Sequence, residues 1–101
     1  MIISQLSCGE RHSAIITQQG YLYTMGSNHK GQLGVPLSDR QIGTPTLVEP
    51  LKSSIVTQVS CGHDTTVCIA SDAEKTKVWA WGANKYGQLG LPYKRSYATP
   101  H

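Results

Sequence analysis

Two glycine-rich stretches have the spacing of a phosphate-binding loop: Gly26-x4-Gly31-Gln32-Leu33 and Gly82-x4-Gly87-Gln88-Leu89. In that loop a Lys after the second glycine neutralises phosphate, a Ser or Thr hydroxyl reaches magnesium, and a helix follows. Here a neutral amide replaces the Lys and an apolar side chain replaces the hydroxyl. Pro36 and Pro92 interrupt any following helix. The same substitutions occur in both stretches, so the pattern specifies a structural loop. Gly31, Gly34, Gly87 and Gly90 permit positive φ and close backbone approach. The amides of Asn28, Gln32, Asn84 and Gln88 suit the backbone groups of an irregular loop. Leu33 and Leu89 are expected to plug sheet faces.

The remaining chemistry-bearing residues form no catalytic constellation. His12 follows a glycine turn and enters an apolar run, with no motif supplying a nucleophile and an acidic partner. It reads as a satisfied structural histidine. The three cysteines, Cys8, Cys61 and Cys68, include no Cys-x-x-Cys pair. All three are expected to be reduced and to fill small buried positions. No metal site and no cofactor are expected.

Both glycine stretches close a longer duplication. Ile3-Ser4-Gln5-Leu6-Ser7-Cys8-Gly9 corresponds to Val56-Thr57-Gln58-Val59-Ser60-Cys61-Gly62, and Leu22-Tyr23-Thr24-Met25-Gly26 to Val78-Trp79-Ala80-Trp81-Gly82. The offset is 53 residues from Cys8 to Cys61 and 56 from Gly26 to Gly82. The three extra residues fall in Ser71–Lys77, against the shorter Gln18-Gln19-Gly20, as a hairpin tip allows. Short runs rich in β-branched and aromatic residues predict strands at Ile2–Leu6, Ser13–Thr17, Tyr21–Met25, Ile55–Val59, Thr66–Ala70 and Lys77–Trp81. Thr46-Leu47-Val48 adds a short strand between Pro45 and Pro50. No window has the period of an amphipathic helix. About four strands in roughly fifty residues is the size of a propeller blade. The units divide as 1–52 and 53–101. Trp79 and Trp81 are read as serving opposite sides of one strand and packing between units.

The 101 residues carry a net charge of +3, with Lys and Arg scattered and no like-charge run longer than Lys94-Arg95. That is a solvated surface before it is a nucleic-acid patch. No apolar stretch is long enough for a membrane helix, and no secretory signal is visible. The composition and reduced cysteines suit the cytoplasm or nucleus.

The string hydrophobic-x-Cys-Gly-x-x-His, an apolar strand, a glycine turn, then Leu-Tyr-x-x-Gly-x-Asn-x-x-Gly-Gln-Leu-Gly resembles the repeat of the regulator-of-chromosome-condensation (RCC1) family. It runs through Cys8, Gly9, His12, Gly26, Asn28 and Gly31–Gly34 in the first copy. In the second it runs through Cys61, Gly62, Trp79, Trp81, Gly82, Asn84 and Gly87–Gly90. Thr65 stands where the family often has His, and Met25 where it often has Trp. The resemblance implies an all-β fold: two consecutive blades of a seven-bladed β-propeller of four-stranded antiparallel sheets. The second blade is incomplete, since the counterpart of Thr46-Leu47-Val48 falls beyond His101. Two blades leave open faces through which copies could self-associate. Two functions are implied: a protein-interaction scaffold within a larger protein such as a ubiquitin ligase or kinase, or guanine-nucleotide exchange on a Ran-like small GTPase with chromatin attachment. Neither makes the chain an enzyme by itself.

Loop residues that differ between copies are the candidate partner contacts, because a fixed frame with variable loops is how rigid scaffolds read partners. Glu10 and Arg11 align with His63 and Asp64, and His29 and Lys30 with Lys85 and Tyr86. Tyr93, Lys94 and Arg95 join them, since Arg and Tyr are favoured interface anchors.

Overall fold

A computed structural model describes residues 2–34, 41–73 and 75–83. Strands β1 (Ile3–Cys8), β2 (His12–Thr17), β3 (Leu22–Ser27) and β4 (Gln41–Leu47) form one antiparallel sheet in that order. Strands β5 (Ile55–Cys61), β6 (Thr65–Ser71) and β7 (Thr76–Gly82) form a second. Among the described residues the helical structure is one 3₁₀ turn, Glu49–Leu51, between the sheets.

The duplication is repeated in strand register. Leu6 pairs with Ile15 as Val59 pairs with Cys68, and each first strand is irregular at the same place, Ile3/Gln5 and Val56/Gln58. The β2–β3 hairpin is tight, Gly20 donating its N–H to the Thr17 carbonyl at 3.0 Å. The strand expected at Thr46–Val48 is longer and starts earlier, at Gln41. Pro45 lies within it because β4 is an edge strand and its register shifts against Thr24/Gly26, so the missing proline N–H interrupts no central ladder. The expectation that the second unit lacks this strand falls on residues outside those described.

The core is the layer between the two sheets. His12, Ala14 and Ile16 alternate along β2 and, with Leu22 and Thr24 of β3, are buried. They meet Val56, Thr66, Cys68, Ala70 and Trp81 of the second sheet, with Val48 and Leu51 of the connection completing the cluster. Full burial of an aliphatic side chain such as Ile16 or Leu22 contributes roughly 1.5–3 kcal/mol. Trp81 is 0% exposed, and truncating a Trp to Ala in such a setting costs about 3–5 kcal/mol. Trp79 is half-buried against the same cluster. The two indoles therefore share one face, correcting the expectation of opposite sides: residues two apart on a strand point the same way.

Strands β1 and β5 lie side by side without a backbone ladder, stitched by side chains. The Gln5 amide donates from Nε2 to the Thr57 carbonyl (3.1 Å) and accepts at Oε1 from the Val59 N–H (3.4 Å). Ser7 Oγ accepts from the Cys61 N–H at 3.0 Å. This seam explains the cysteines. Cys61 is half-buried against β1, its Sγ 3.6 Å from the Ser7 carbonyl. Its counterpart Cys8 is exposed rather than buried, because among the described residues no strand lies against it as β1 lies against Cys61. Cys68 is buried as expected, and burial pushes its thiol up to about 12.

Candidate functional site: an inter-sheet node and the rim above it

The loop Asn28–Gly34 leaves β3 and crosses to the second sheet. Asn28 Oδ1 accepts the Leu33 N–H (3.2 Å), Gln32 Oε1 accepts the Lys30 N–H (2.9 Å), and Thr24 Oγ1 donates to the Leu33 carbonyl (2.7 Å). Asn28 and Gln32 thus accept backbone N–H groups of the loop, and Leu33 is fully buried. Gln32 also acts through its backbone carbonyl, which accepts from Thr66 Oγ1 at 2.6 Å and from Trp81 Nε1 at 2.9 Å.

His12 completes this node. Its Nε2 lies 2.9 Å from Thr66 Oγ1. The Thr66 proton is committed to Gln32, so the imidazole must donate, which fixes the Nε2–H tautomer. Nδ1 has no hydrogen-bond partner among the described residues. The expected satisfied histidine is thus bonded through one ring nitrogen only. Burial lowers its pKa below 6.5, while the Thr65 carbonyl and the Asp64 charge pull it back upward. Two glycines are required here. A Cβ on Gly9 would strike the Gly62 carbonyl and the His12 ring, so the two Cys-Gly turns can touch only without one. Gly34 has φ +72°, and a Cβ there would sit 2.8 Å from Trp81 Nε1.

Above the node, loop residues from the two units meet. Glu10 contacts His63 Nε2, His63 Nδ1 lies 3.0 Å from Asp64 Oδ2, and Arg11 Nε lies 3.7 Å from Glu10. Gln32 Nε2 donates to Asp64 Oδ1 at 3.4 Å. Asp64 is the inner member, its side chain 23% exposed against 70% for His63 and 68% for Arg11. His29 and Lys30 are exposed on the crossing loop, three and two residues before Gln32. Four of the sequence candidates, Glu10, Arg11, His63 and Asp64, thus form one charged rim spanning both sheets. Lys85, Tyr86, Tyr93, Lys94 and Arg95, with Asn84 and Gly87–Gly90, lie outside the described residues. The rim alternates carboxylate, imidazole and guanidinium in solvent, suited to polar docking. Among the described residues no group of three or more His, Cys, Asp or Glu is placed to hold a metal, and no helix is long and apolar enough to cross a membrane.

Gln5, Ser7 and Thr66 were not singled out by sequence. Their one signal was the duplication: Gln5 and Ser7 recur as Gln58 and Ser60.

Two antiparallel sheets of matching register, face to face and joined by a short connection, are consecutive propeller blades. Family models described as the regulator of chromosome condensation (RCC1) repeat match residues 19–69 and 76–101, and residues 3–32 and 56–88. The chain belongs to the RCC1 repeat family. The first match begins beside β3 and ends in β6, so that sequence repeat is out of phase with the sheets. Relatives include the human X-linked retinitis pigmentosa GTPase regulator, 44% identical over 86 residues, covering 85% of this chain and 8% of that protein. A mouse serine/threonine-protein kinase is 36% identical over 103 residues, covering 97% of this chain and 10% of the kinase. A probable human E3 ubiquitin-protein ligase is 34% identical over 91 residues, covering 90% and 9%. The chain therefore spans a tenth or less of these relatives. Among solved structures, Saccharomyces cerevisiae Prp20p, reported with its binding properties to Gsp1p and histones, superposes with a TM-score of 0.85 at 23% identity over 98% of this chain and 25% of that one. Human WBSCR16 gives 0.79 at 27% identity, covering 98% and 24%.

Proposed function

We propose that this chain supplies a rigid two-blade segment of a protein-interaction scaffold, and that its partner docks on the rim of Glu10, Arg11, His63 and Asp64 with His29 and Lys30 beside it. The observation carrying this reading is convergence. Four loop residues that differ between copies, Glu10, Arg11, His63 and Asp64, meet on one rim above the buried node. Gln32 couples the two, since its carbonyl holds Thr66 and Trp81 and its amide holds Asp64. Such docking assigns no residue a catalytic role and suits a cytoplasmic or nuclear protein. The relatives with kinase and ligase names favour a scaffold borne by a larger protein.

The likeness to Prp20p, whose structure was reported with binding to Gsp1p and histones, motivates a second reading: part of an exchange factor for a Ran-type GTPase, attached to chromatin. Exchange needs a rigid surface with different affinities for the GTPase states rather than an acid or base. Release of labelled GDP from Ran by the complete protein, and not by residues 1–101, supports exchange. Absence of release, with a partner whose binding is lost in R11E and K30E variants, supports docking. Retention of that partner by both variants would move the contact off this rim.

A further inference from the structure

His63 stands between two carboxylates that belong to different blades. Its Nε2 contacts Glu10 of the turn between β1 and β2, and its Nδ1 lies 3.0 Å from Oδ2 of Asp64, its neighbour on the turn between β5 and β6. All three residues lie at the ends of strands rather than on a sheet face. A neutral imidazole has one N–H and one bare nitrogen, and only the imidazolium donates from both. With the ring neutral, a nitrogen lone pair faces a negative oxygen, and one carboxylate must turn away. Histidine is the side chain that ordinarily changes charge between about pH 5 and 8. The proton on one ring therefore decides whether the two turns are tied together.

The two carboxylates are not equally placed to leave. Asp64 is the inner one, and its Oδ1 keeps the Gln32 amide at 3.4 Å whatever the ring does. Glu10 has a side chain 47% exposed and an alternative partner in Arg11, whose Nε lies 3.7 Å away. The surroundings offer no substitute for Glu10 among the described residues. The β1–β2 turn adds the Arg11 guanidinium, and β2 begins below with His12, which feels the Asp64 charge. The crossing loop brings the neutral Gln32 amide, with His29 and Lys30 exposed before it. The strands beneath end in Cys8 and Cys61, which bring no carboxylate, and burial pushes the Cys61 thiol up.

We propose that His63 is a proton-operated clasp on the rim. As imidazolium it ties Glu10 of the first blade to Asp64 of the second. As neutral imidazole it keeps its proton on Nδ1 for Asp64, and Glu10 swings out to Arg11 and solvent. Its regulatory use rests on the reading of this rim as a docking surface: the Glu10 carboxylate is offered to a cationic group of the partner only while the clasp is open.

The test is NMR of the isotope-labelled full chain, titrated between about pH 5 and 8, with H63Q as the control. His63 is 70% exposed, so H63Q should keep the wild-type circular dichroism, which is checked first. In the wild type the Glu10 carboxyl carbon and the Glu10 and Arg11 amides should shift in step with the His63 ring nitrogens. In H63Q that step should be lost. The wild-type ring, once neutral, should carry its proton on Nδ1, a readout that needs no variant. Glu10 signals that move equally in H63Q overturn the proposal. A neutral ring protonated on Nε2 overturns it as well, since Asp64 would then be the carboxylate released. Docking is read separately. A clasp that opens as described, with no partner that depends on Arg11 and Lys30, keeps the clasp and removes the docking reading. A partner lost in R11E and K30E, beside Glu10 signals that ignore His63, does the reverse.

Discussion

The His12 imidazole of the first blade and the Thr66 hydroxyl of the second meet at 2.9 Å, and the same hydroxyl passes its own proton to the Gln32 carbonyl. All three groups are buried. One hydroxyl therefore satisfies a donor from one sheet and an acceptor from the loop that crosses between them.

Replacing Thr66 with Val keeps the shape and removes the hydroxyl. The His12 N–H is then left buried without an acceptor, at a cost of about 1–3 kcal/mol. Ser keeps the hydroxyl and loses one methyl, about 1 kcal/mol. Urea unfolding at neutral pH should rank wild type above T66S above T66V. Equal midpoints for T66V and wild type would remove the node from the stability of the inter-blade layer.

The same histidine makes stability depend on pH. Burial holds its folded pKa below the unfolded value of 6.5. The unfolded state thus binds more protons in that interval, so stability rises with pH through it. As pH falls below 6.5 toward the folded pKa the protein should lose stability, and below the folded pKa this contribution levels off. H12Q keeps an amide donor for Thr66 and cannot titrate. The drop in midpoint across this window should shrink in H12Q. An unchanged drop would assign the effect to the exposed histidines instead.

The fold was legible in the sequence because a duplication constrains it twice. Strand runs ambiguous alone, such as Ser13–Thr17, became firm when Thr66–Ala70 showed the same spacing. The loop glycines were legible for the same reason, since Gln and Leu replace the phosphate-binding residues in both copies. The node was not, because its key acceptor is a backbone carbonyl at Gln32, which no residue type announces. The exposure of Cys8 was missed because equivalence predicts the same strand but not the same neighbour: Cys61 has β1 beside it, and among the described residues Cys8 has nothing comparable. The rim residues were chosen for differing between copies, and only the folded chain brings Glu10 to His63.

Two glycines separate frame from decoration. Gly34, at φ +72°, faces the Trp81 indole nitrogen that donates to Gln32. An Ala there combines a strained backbone with displacement of that indole, and should cost more than about 1 kcal/mol. Gly43, on the edge strand β4, has nothing within 4 Å of a Cβ and no positive φ. G43A should be neutral or raise stability by about 0.4–1 kcal/mol, by narrowing the unfolded ensemble. Thermal midpoints of the pair should therefore move in opposite directions or differ clearly, and similar losses for both would contradict the assignment of Gly34 to the node.

Cys68 offers a probe of the inter-blade layer that leaves the chain unaltered. Its side chain is 1% exposed among Ala14, Ile16 and Trp81, and its thiol is pushed up to about 12. Only the thiolate attacks an alkylating reagent, so at neutral pH both access and ionisation protect this position. Native labelling followed by peptide mass analysis should find Cys68 unmodified until the layer opens, with a rate set by the free energy of that opening. T66V weakens the same layer and should accelerate the reaction at Cys68 in proportion to its loss of stability. If Cys68 reacts as fast in the native chain as in urea, the two sheets do not enclose it, and the blade pairing argued from His12, Thr66 and Trp81 fails with it.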